Sequence, residues 1–264
     1  MSTGSLTVIG SGMTVAGQLT AECADLIHKA KVLYAAMPTQ ISLQWLKGLN
    51  SATQSLGHLY QKGKSRRQTY RDMTELVLSS VRMDNDVCVV FYGHPGVFVT
   101  PSHQMIQQAR QEGYFARMLP GISAEDCLFS DLGFDPAASG CQSYEAMDFL
   151  LRGRIFDPTA ALILWQIGAV GDYAFDRSSE GDQRWMNALV EKLQVGGFPP
   201  SHEIILYEAS ILPIWPFRAD TIRLDQLADA NLNAITTLYV PPLRKRKYDA
   251  ELLKRMGISS SEVG

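Results

Sequence analysis

Charge is scarce in this chain. Only 19% of its 264 residues are Asp, Glu, Lys or Arg, and they sum to a formal −3. Bulk nucleic-acid binding needs a basic face, so this balance argues against it. Long apolar runs are missing too. No stretch approaches the ~20 residues of a membrane span. The opening Met1-Ser2-Thr3-Gly4-Ser5 lacks the charged start of a secretion signal, and the apolar run behind it is only Leu6 to Ile9. The four cysteines (Cys23, Cys88, Cys127, Cys141) show no Cys-x-x-Cys spacing. With no signal ahead of them they read as reduced thiols in the cytoplasm, Cys88 as a small core residue. Five scattered histidines, none paired at helical spacing with a second ligand, give no reason to expect a metal. Hydrophobic residues, at 46%, are plentiful enough for a substantial core and argue against disorder. The length suits one large domain or two modest ones.

The most informative stretch is Phe91-Tyr92-Gly93-His94-Pro95-Gly96-Val97-Phe98, which follows the apolar run Asp86 to Val90. A β-branched run broken by Gly, Pro and Gly reads as a buried strand ending in a loop. In open α/β sheets ligands bind outside the carboxyl ends of strands. The loop has two glycines that would let backbone approach a ligand, and two polar tips, Tyr92 and His94. It reads equally as a tight connection with an aromatic tucked beneath it.

Strands are expected at 6–10, 31–36, 86–91 and 114–119, with helices at 17–30, 40–49, 66–83 and 101–112. This βαβα rhythm implies a mostly parallel sheet covered on both faces. Further strands are expected at 160–165, 203–207 and 235–240, with helices at 124–132, 144–151 and 184–193. The fold class is α/β. The rhythm pauses at Pro120-Gly121, which divides the chain into domains 1–120 and 121–242. Residues 243–264 form a tail whose basic stretch, Leu243 to Met256, reads as a solvated terminal helix or a partner-binding patch.

Gly10-Ser11-Gly12 after the first strand invites a dinucleotide reading. However, Val15 stands where the third glycine of the pattern belongs, and Tyr34-Ala35-Ala36 offers no acid for a ribose. Val8-Ile9-Gly10-Ser11-Gly12, Leu19-Thr20, Tyr92-Gly93-His94-Pro95-Gly96, Leu119-Pro120-Gly121-Ile122-Ser123-Ala124 and Leu238-Tyr239-Val240-Pro241-Pro242 occur in that order. Together they resemble the tetrapyrrole methylase superfamily, which implies two α/β domains with a cofactor cleft between them. The superfamily's first loop usually reads Gly-Pro-Gly-Asp. Here Gly12-Met13-Thr14-Val15 stands in its place, which speaks against an ordinary porphyrinoid methylase. A narrower resemblance, to borosin peptide backbone α-N-methyltransferases, is carried by Phe91 to Phe98, Pro101-Ser102-His103, Ala116 to Phe129, Tyr144-Glu145-Ala146 and Leu164-Trp165-Gln166 before Gly171-Asp172.

That resemblance implies a catalytic Tyr60, Arg66 and Tyr70, with S-adenosyl-L-methionine as cofactor. Arg67 competes for the arginine role. Arg66 and Tyr70 stand at i, i+4 and share a helix face, whereas Arg67 points roughly a hundred degrees away. An amide nitrogen is a poor nucleophile because its lone pair is delocalised. Methylating it needs a base for the N–H proton and positive charge at the carbonyl oxygen. Arg66 is expected to lower the phenol pKa of Tyr70 so that it serves as base, and to stabilise the imidate oxygen. Without the resemblance, the same residues read as a core tyrosine and a surface arginine.

The resemblance maps the cofactor pocket to Tyr92, His94, Val97, Ala124, Gln166, Tyr207, Ala209, Thr236 and Thr237. It implies a homodimer, and a heterotetramer with two precursor chains. Nothing after Pro242 looks like an apolar core peptide, so the substrate is expected as a separate ribosomally made precursor. Two alternatives stand: a superfamily enzyme acting on a porphyrinoid or other small molecule, and a non-enzymatic module that kept the cofactor fold.

Overall fold

A computed structural model describes residues 4–172, 183–259 and 261. The first half forms a five-stranded, wholly parallel sheet from β1 (Ser5–Gly10), β2 (Val32–Ala36), β3 (Thr53–Ser55), β4 (Asp86–Phe91) and β5 (Phe115–Met118), ordered β3-β2-β4-β1-β5. Parallel strands covered on both faces read as near-continuous apolar runs, which is what β4 shows. Its Val87, Val89 and Phe91 pack with Met73, Val77 and Val81 of α3 (Arg66–Arg82) and with Met105 of α4 (Thr100–Gln111). Its Cys88 and Val90 pack on the opposite face with Cys23 and Ile27 of α1 (Ala21–Lys29) and Leu43 and Leu46 of α2 (Gln40–Leu49). Each such aliphatic side chain, once buried, contributes about 1.5–3 kcal/mol.

The second half builds a mixed sheet rather than a second parallel one. Its strands are β6 (Cys141–Glu145), β7 (Ala161–Trp165), β8 (Glu203–Glu208), β9 (Arg218–Arg223) and β10 (Thr237–Val240), ordered β6-β7-β10-β8-β9. Only β6 and β7 run parallel; β10 pairs antiparallel with β7 and β8, and β9 antiparallel with β8. One face carries α7 (Ala146–Leu151) and α8 (Gln183–Val195) over Leu162, Leu164, Leu206 and Leu238. The other carries α5 (Ala124–Leu132) over Ile163, Trp165, Tyr207 and Tyr239, with Met13 of the first half against it.

Several elements depart from expectation, each for a local reason. Helix α1 starts at Ala21, not at residue 17, because the Gln18 carboxamide accepts from the Met13 and Thr14 N–H groups and holds its own stretch in a loop. Thr20 then caps the helix by accepting from Cys23 N. The helix expected at 144–151 begins only at Ala146, since Tyr144 and Glu145 pair with Leu164 and Trp165 in the sheet. Strands β3, β6 and β9 are polar or short and carry no apolar alternation. The last strand starts at Thr237, leaving Thr236 just outside it. A short helix, α6 (Pro136–Ser139), precedes β6, and the basic tail is helical only over α9 (Ala250–Met256).

Candidate active site

Three adjacent strands of the parallel sheet end at one point. Gly10 ends β1, Gly93 follows β4 and Gly121 follows β5. A Cβ added to Gly10 would lie 2.3 Å from Gly93 O, and one added to Gly121 would lie 2.5 Å from the same oxygen. The glycines therefore let three loops pack backbone on backbone. Gly93, at φ +70°, exchanges N–H···O bonds with Gly12, one of 2.8 Å and one of 3.3 Å. Gly96 is gripped at both polar atoms. Its N–H donates to His94 Nδ1 at 2.9 Å, and its carbonyl accepts from His103 Nε2 at 2.9 Å. Accepting at Nδ1 leaves His94 protonated at Nε2. Ser102 on α4 donates to Pro95 O and Val99 O, pinning the far end of the loop.

A cavity lies beneath this loop, between the two sheets. Tyr92, His94, Val97, Ala124, Gln166, Tyr207, Ala209 and Thr237 all line it. Thr236 does not: it is fully buried behind the wall, with its hydroxyl on Glu208 Oε1 at 2.7 Å. The Tyr207 hydroxyl donates to Asp131 at 2.7 Å, and burial, with Asp131 beside it, pushes this phenol far up. Met13, Phe98, Glu125 and Trp165 also contribute to the wall. Two of the lining residues have left-handed backbones without being glycine, Phe98 at φ 54° and Gln166 at φ 60°. Such conformations cost free energy and cluster at functional sites.

A second, larger cavity of about 510 Å³ opens on the other side of Tyr92, Phe98, Val99, Gln166 and Ile235, which belong to both. Tyr60, Arg66, Tyr70 and Asp172 converge in it, with apolar walls from Met37, Pro38 and Pro101. Arg66 opens α3, hydrogen-bonds Tyr70 one turn on, and lies 3.9 Å from Asp172 of the second half. Arg67 is exposed and does not line the cavity. The expected lowering of the Tyr70 pKa is not what the surroundings produce. Burial raises it, and the Arg66 charge and hydrogen bond offset only part of the rise. Tyr60 and Tyr92 are raised as well, by burial first and then by Tyr70, with Arg66 pulling the other way. The site thus presents three neutral phenols and one guanidinium at the border of the first cavity. That set can stabilise negative charge growing on an oxygen.

The amino-acid sequence matches the Tetrapyrrole (Corrin/Porphyrin) Methylases over residues 5–161. The chain belongs to that family. Its fold agrees: uroporphyrin III C-methyl transferase from Thermus thermophilus superposes with a TM-score of 0.64 at 17% identity, covering 90% of this chain and 92% of that one. The same enzyme complexed with S-adenyl homocysteine superposes with a TM-score of 0.63 at 19% identity, covering 90% and 97%. The relatives found by sequence carry other names. A methyltransferase/ribosomally synthesized cyclic peptide gymnopeptides precursor of Gymnopus fusipes is 37% identical over 98% of this chain and 62% of its own length. The corresponding omphalotin A precursor of Omphalotus olearius is 36% identical over 96% and 61%. A type I borosin precursor of Serendipita vermifera is 36% identical over 97% and 63%. The chain thus spans about six tenths of the length of these three relatives.

Sequence reasoning did not single out Met13, Phe98, Glu125, Trp165, Asp172 or Ile235 as lining residues. Trp165 and Phe98 had a signal, since each directly adjoins a residue already placed in the pocket. Asp172 was visible only as part of the Gly171-Asp172 motif, because its place beside Arg66 depends on how the two halves meet.

Proposed function

We propose that this chain transfers a methyl group from S-adenosyl-L-methionine to backbone amide nitrogens of a peptide. The observation that carries the reading is the shared wall. A cavity with apolar sides and few polar groups abuts one that holds Tyr60, Arg66 and Tyr70, so two ligands can meet across Tyr92 and Gln166. The first cavity fits the cofactor chemically. His94 Nε2–H, the Gln166 amide and the Thr237 hydroxyl are polar groups for its amino-acid and nucleoside parts, and Val97, Ala124, Ala209 and the Tyr92 and Tyr207 rings supply apolar surface. Thr236 supports that wall from behind. When bound, the cofactor supplies an electrophilic methyl group on a sulfonium.

The residues of the second cavity act on the amide. Tyr70 must first shed its own proton, after which the phenolate takes the N–H proton. Arg66 stabilises the charge that passes to the carbonyl oxygen. Tyr60, a neutral phenol at the more exposed edge of the cavity, is a donor for the same oxygen. The names of the relatives, methyltransferases joined to cyclic-peptide precursors, support a peptide as substrate.

The peptide arrives, in this reading, as a separate polypeptide, with two copies of the chain and two precursors in the working assembly, and domains meeting near residue 120. Incubation with cofactor and an apolar precursor peptide, read by intact mass, tests the proposal. Methyl increments on the peptide, with none on this chain, are expected. Methylation of a porphyrinoid with no activity on peptide would overturn it.

A further inference from the structure

The Gln166 backbone is held in a left-handed conformation, φ 60° and ψ 40°, at the division between the two cavities. A residue with a Cβ does not rest there unaided. The turn that follows, Ile167–Ala169, shows what fixes it. Ile167 N donates to Thr236 O at 3.0 Å, and Ala169 N to Gln166 O at 2.9 Å. Gly168 lies so close to Asn233 that an added Cβ would sit 2.1 Å from its carbonyl oxygen. The turn is thus moulded against residues 233–236, and one of these, Ile235, itself belongs to the wall of both cavities.

The moulding segment is organised around one carboxylate. Glu208 Oε1 accepts from Thr236 Oγ1 at 2.7 Å, from Asn233 Nδ2 at 2.8 Å and from Arg218 Nη1 at 2.7 Å. Asn233 and Thr236 close on each other as well, Asn233 N donating to Thr236 Oγ1 at 2.9 Å and Thr236 N to Asn233 O at 3.0 Å. Arg218 reaches past the carboxylate to Asn231 O at 2.8 Å, tying down the start of the same loop. Charge-assisted bonds of this length are the strong ones, and removing their acceptor strands several donors at once. Glu208 lines neither cavity.

We propose that Glu208 is a positioning residue. Through Asn233 and Thr236 it sets the Gln166 turn and the place of Ile235, and so governs how tightly the cofactor cavity holds its ligand without touching that ligand. The proposal rests on the functional reading above for the identity of the ligand, but not for the coupling itself.

Two readouts separate these parts. In the ligand-free protein, hydrogen exchange of the Ile167, Ala169 and Val170 amides should quicken in Glu208→Ala, and should stay as in the parent in Glu203→Ala, a change at the exposed far end of β8. Calorimetry with S-adenosylhomocysteine should show binding weakened about tenfold or more in Glu208→Ala, since small misplacements of positioning groups are costly. Glu208→Gln keeps one acceptor oxygen and should recover part of both losses. It is also the variant to use if the alanine form does not fold. Thr236→Val removes one donor and should reproduce the exchange change, with no additive loss in combination with Glu208→Gln. Unchanged exchange at 167–170 in the Glu208 variants would overturn the coupling. Quickened exchange with undiminished binding would overturn the positioning role. A parent protein that binds no S-adenosylhomocysteine would instead sink the functional reading, with the exchange arm still deciding the coupling.

Discussion

Replacing Tyr70 by phenylalanine removes one oxygen atom from the second cavity and leaves the ring's volume in place. The tyrosine is half-buried and hydrogen-bonded to Arg66, and burial outweighs the guanidinium in setting its pKa above the ordinary phenol value. The sign follows from this. A phenol at the ordinary value of about 10 is ionised in roughly one molecule per thousand at pH 7, and a raised pKa makes the fraction smaller still. If the phenolate takes the amide proton, the single-turnover rate should climb about tenfold per pH unit between roughly pH 7 and 9, with no plateau in that window. The phenylalanine variant should lose about 100-fold or more at the top of that range and lose the slope with it. Its binding of S-adenosylhomocysteine should stay as in the parent, because Tyr70 lines only the second cavity. The assay is quenched incubation of enzyme, cofactor and peptide across a buffer series, read by mass, with calorimetry on each variant. A parent rate that levels off by about pH 8 would refute the argument that burial dominates. A phenylalanine variant that keeps the slope would refute the role of Tyr70 as base.

The other expectations are briefer. Arg66→Ala should abolish methyl transfer while Arg67→Ala stays near the parent rate, because only Arg66 lines the cavity; the reverse result would refute the helix-face assignment. Gly121→Ala forces a Cβ to within 2.5 Å of Gly93 O, and should cost about 1–3 kcal/mol, seen as a melting temperature lower by several degrees. An unchanged melting curve would show that the three loops have slack. Glu112, held by a two-pronged Arg82 contact, has its pKa lowered from 4.5 to about 2. Its share of stability is therefore complete above about pH 4.5 and is lost as pH falls toward 2, so Glu112→Gln should flatten the acid loss of melting temperature over that window.

Much of the first sheet was legible because its strands are buried on both faces. Val87 to Phe91 has to be apolar throughout, and α3 and α4 carry their core residues at helical spacing. The second sheet was harder to read. Strand β9 carries Arg218, Asp220 and Arg223 on an edge of the sheet, and β6 is half-buried and polar, so neither has a hydrophobic signature. The approach of Arg66 to Tyr70 could be read from i, i+4 spacing alone. Arg66 beside Asp172 could not, since it depends on how the sheets face each other. Nor could the balance at Tyr70, where local sequence shows the neighbouring arginine but not the depth of burial that outweighs it. The placing of Thr236 behind the wall depends on the same long-range detail, Glu208 reaching across from a neighbouring strand.

The central claim is that the methyl group lands on backbone nitrogen. Fragmentation of the product peptide by tandem mass spectrometry tests this most directly. The account predicts that each added methyl maps to the main chain of a residue whose side chain has its unmodified mass. A methyl group found on a side chain, or transferred only to a porphyrinoid, would contradict it.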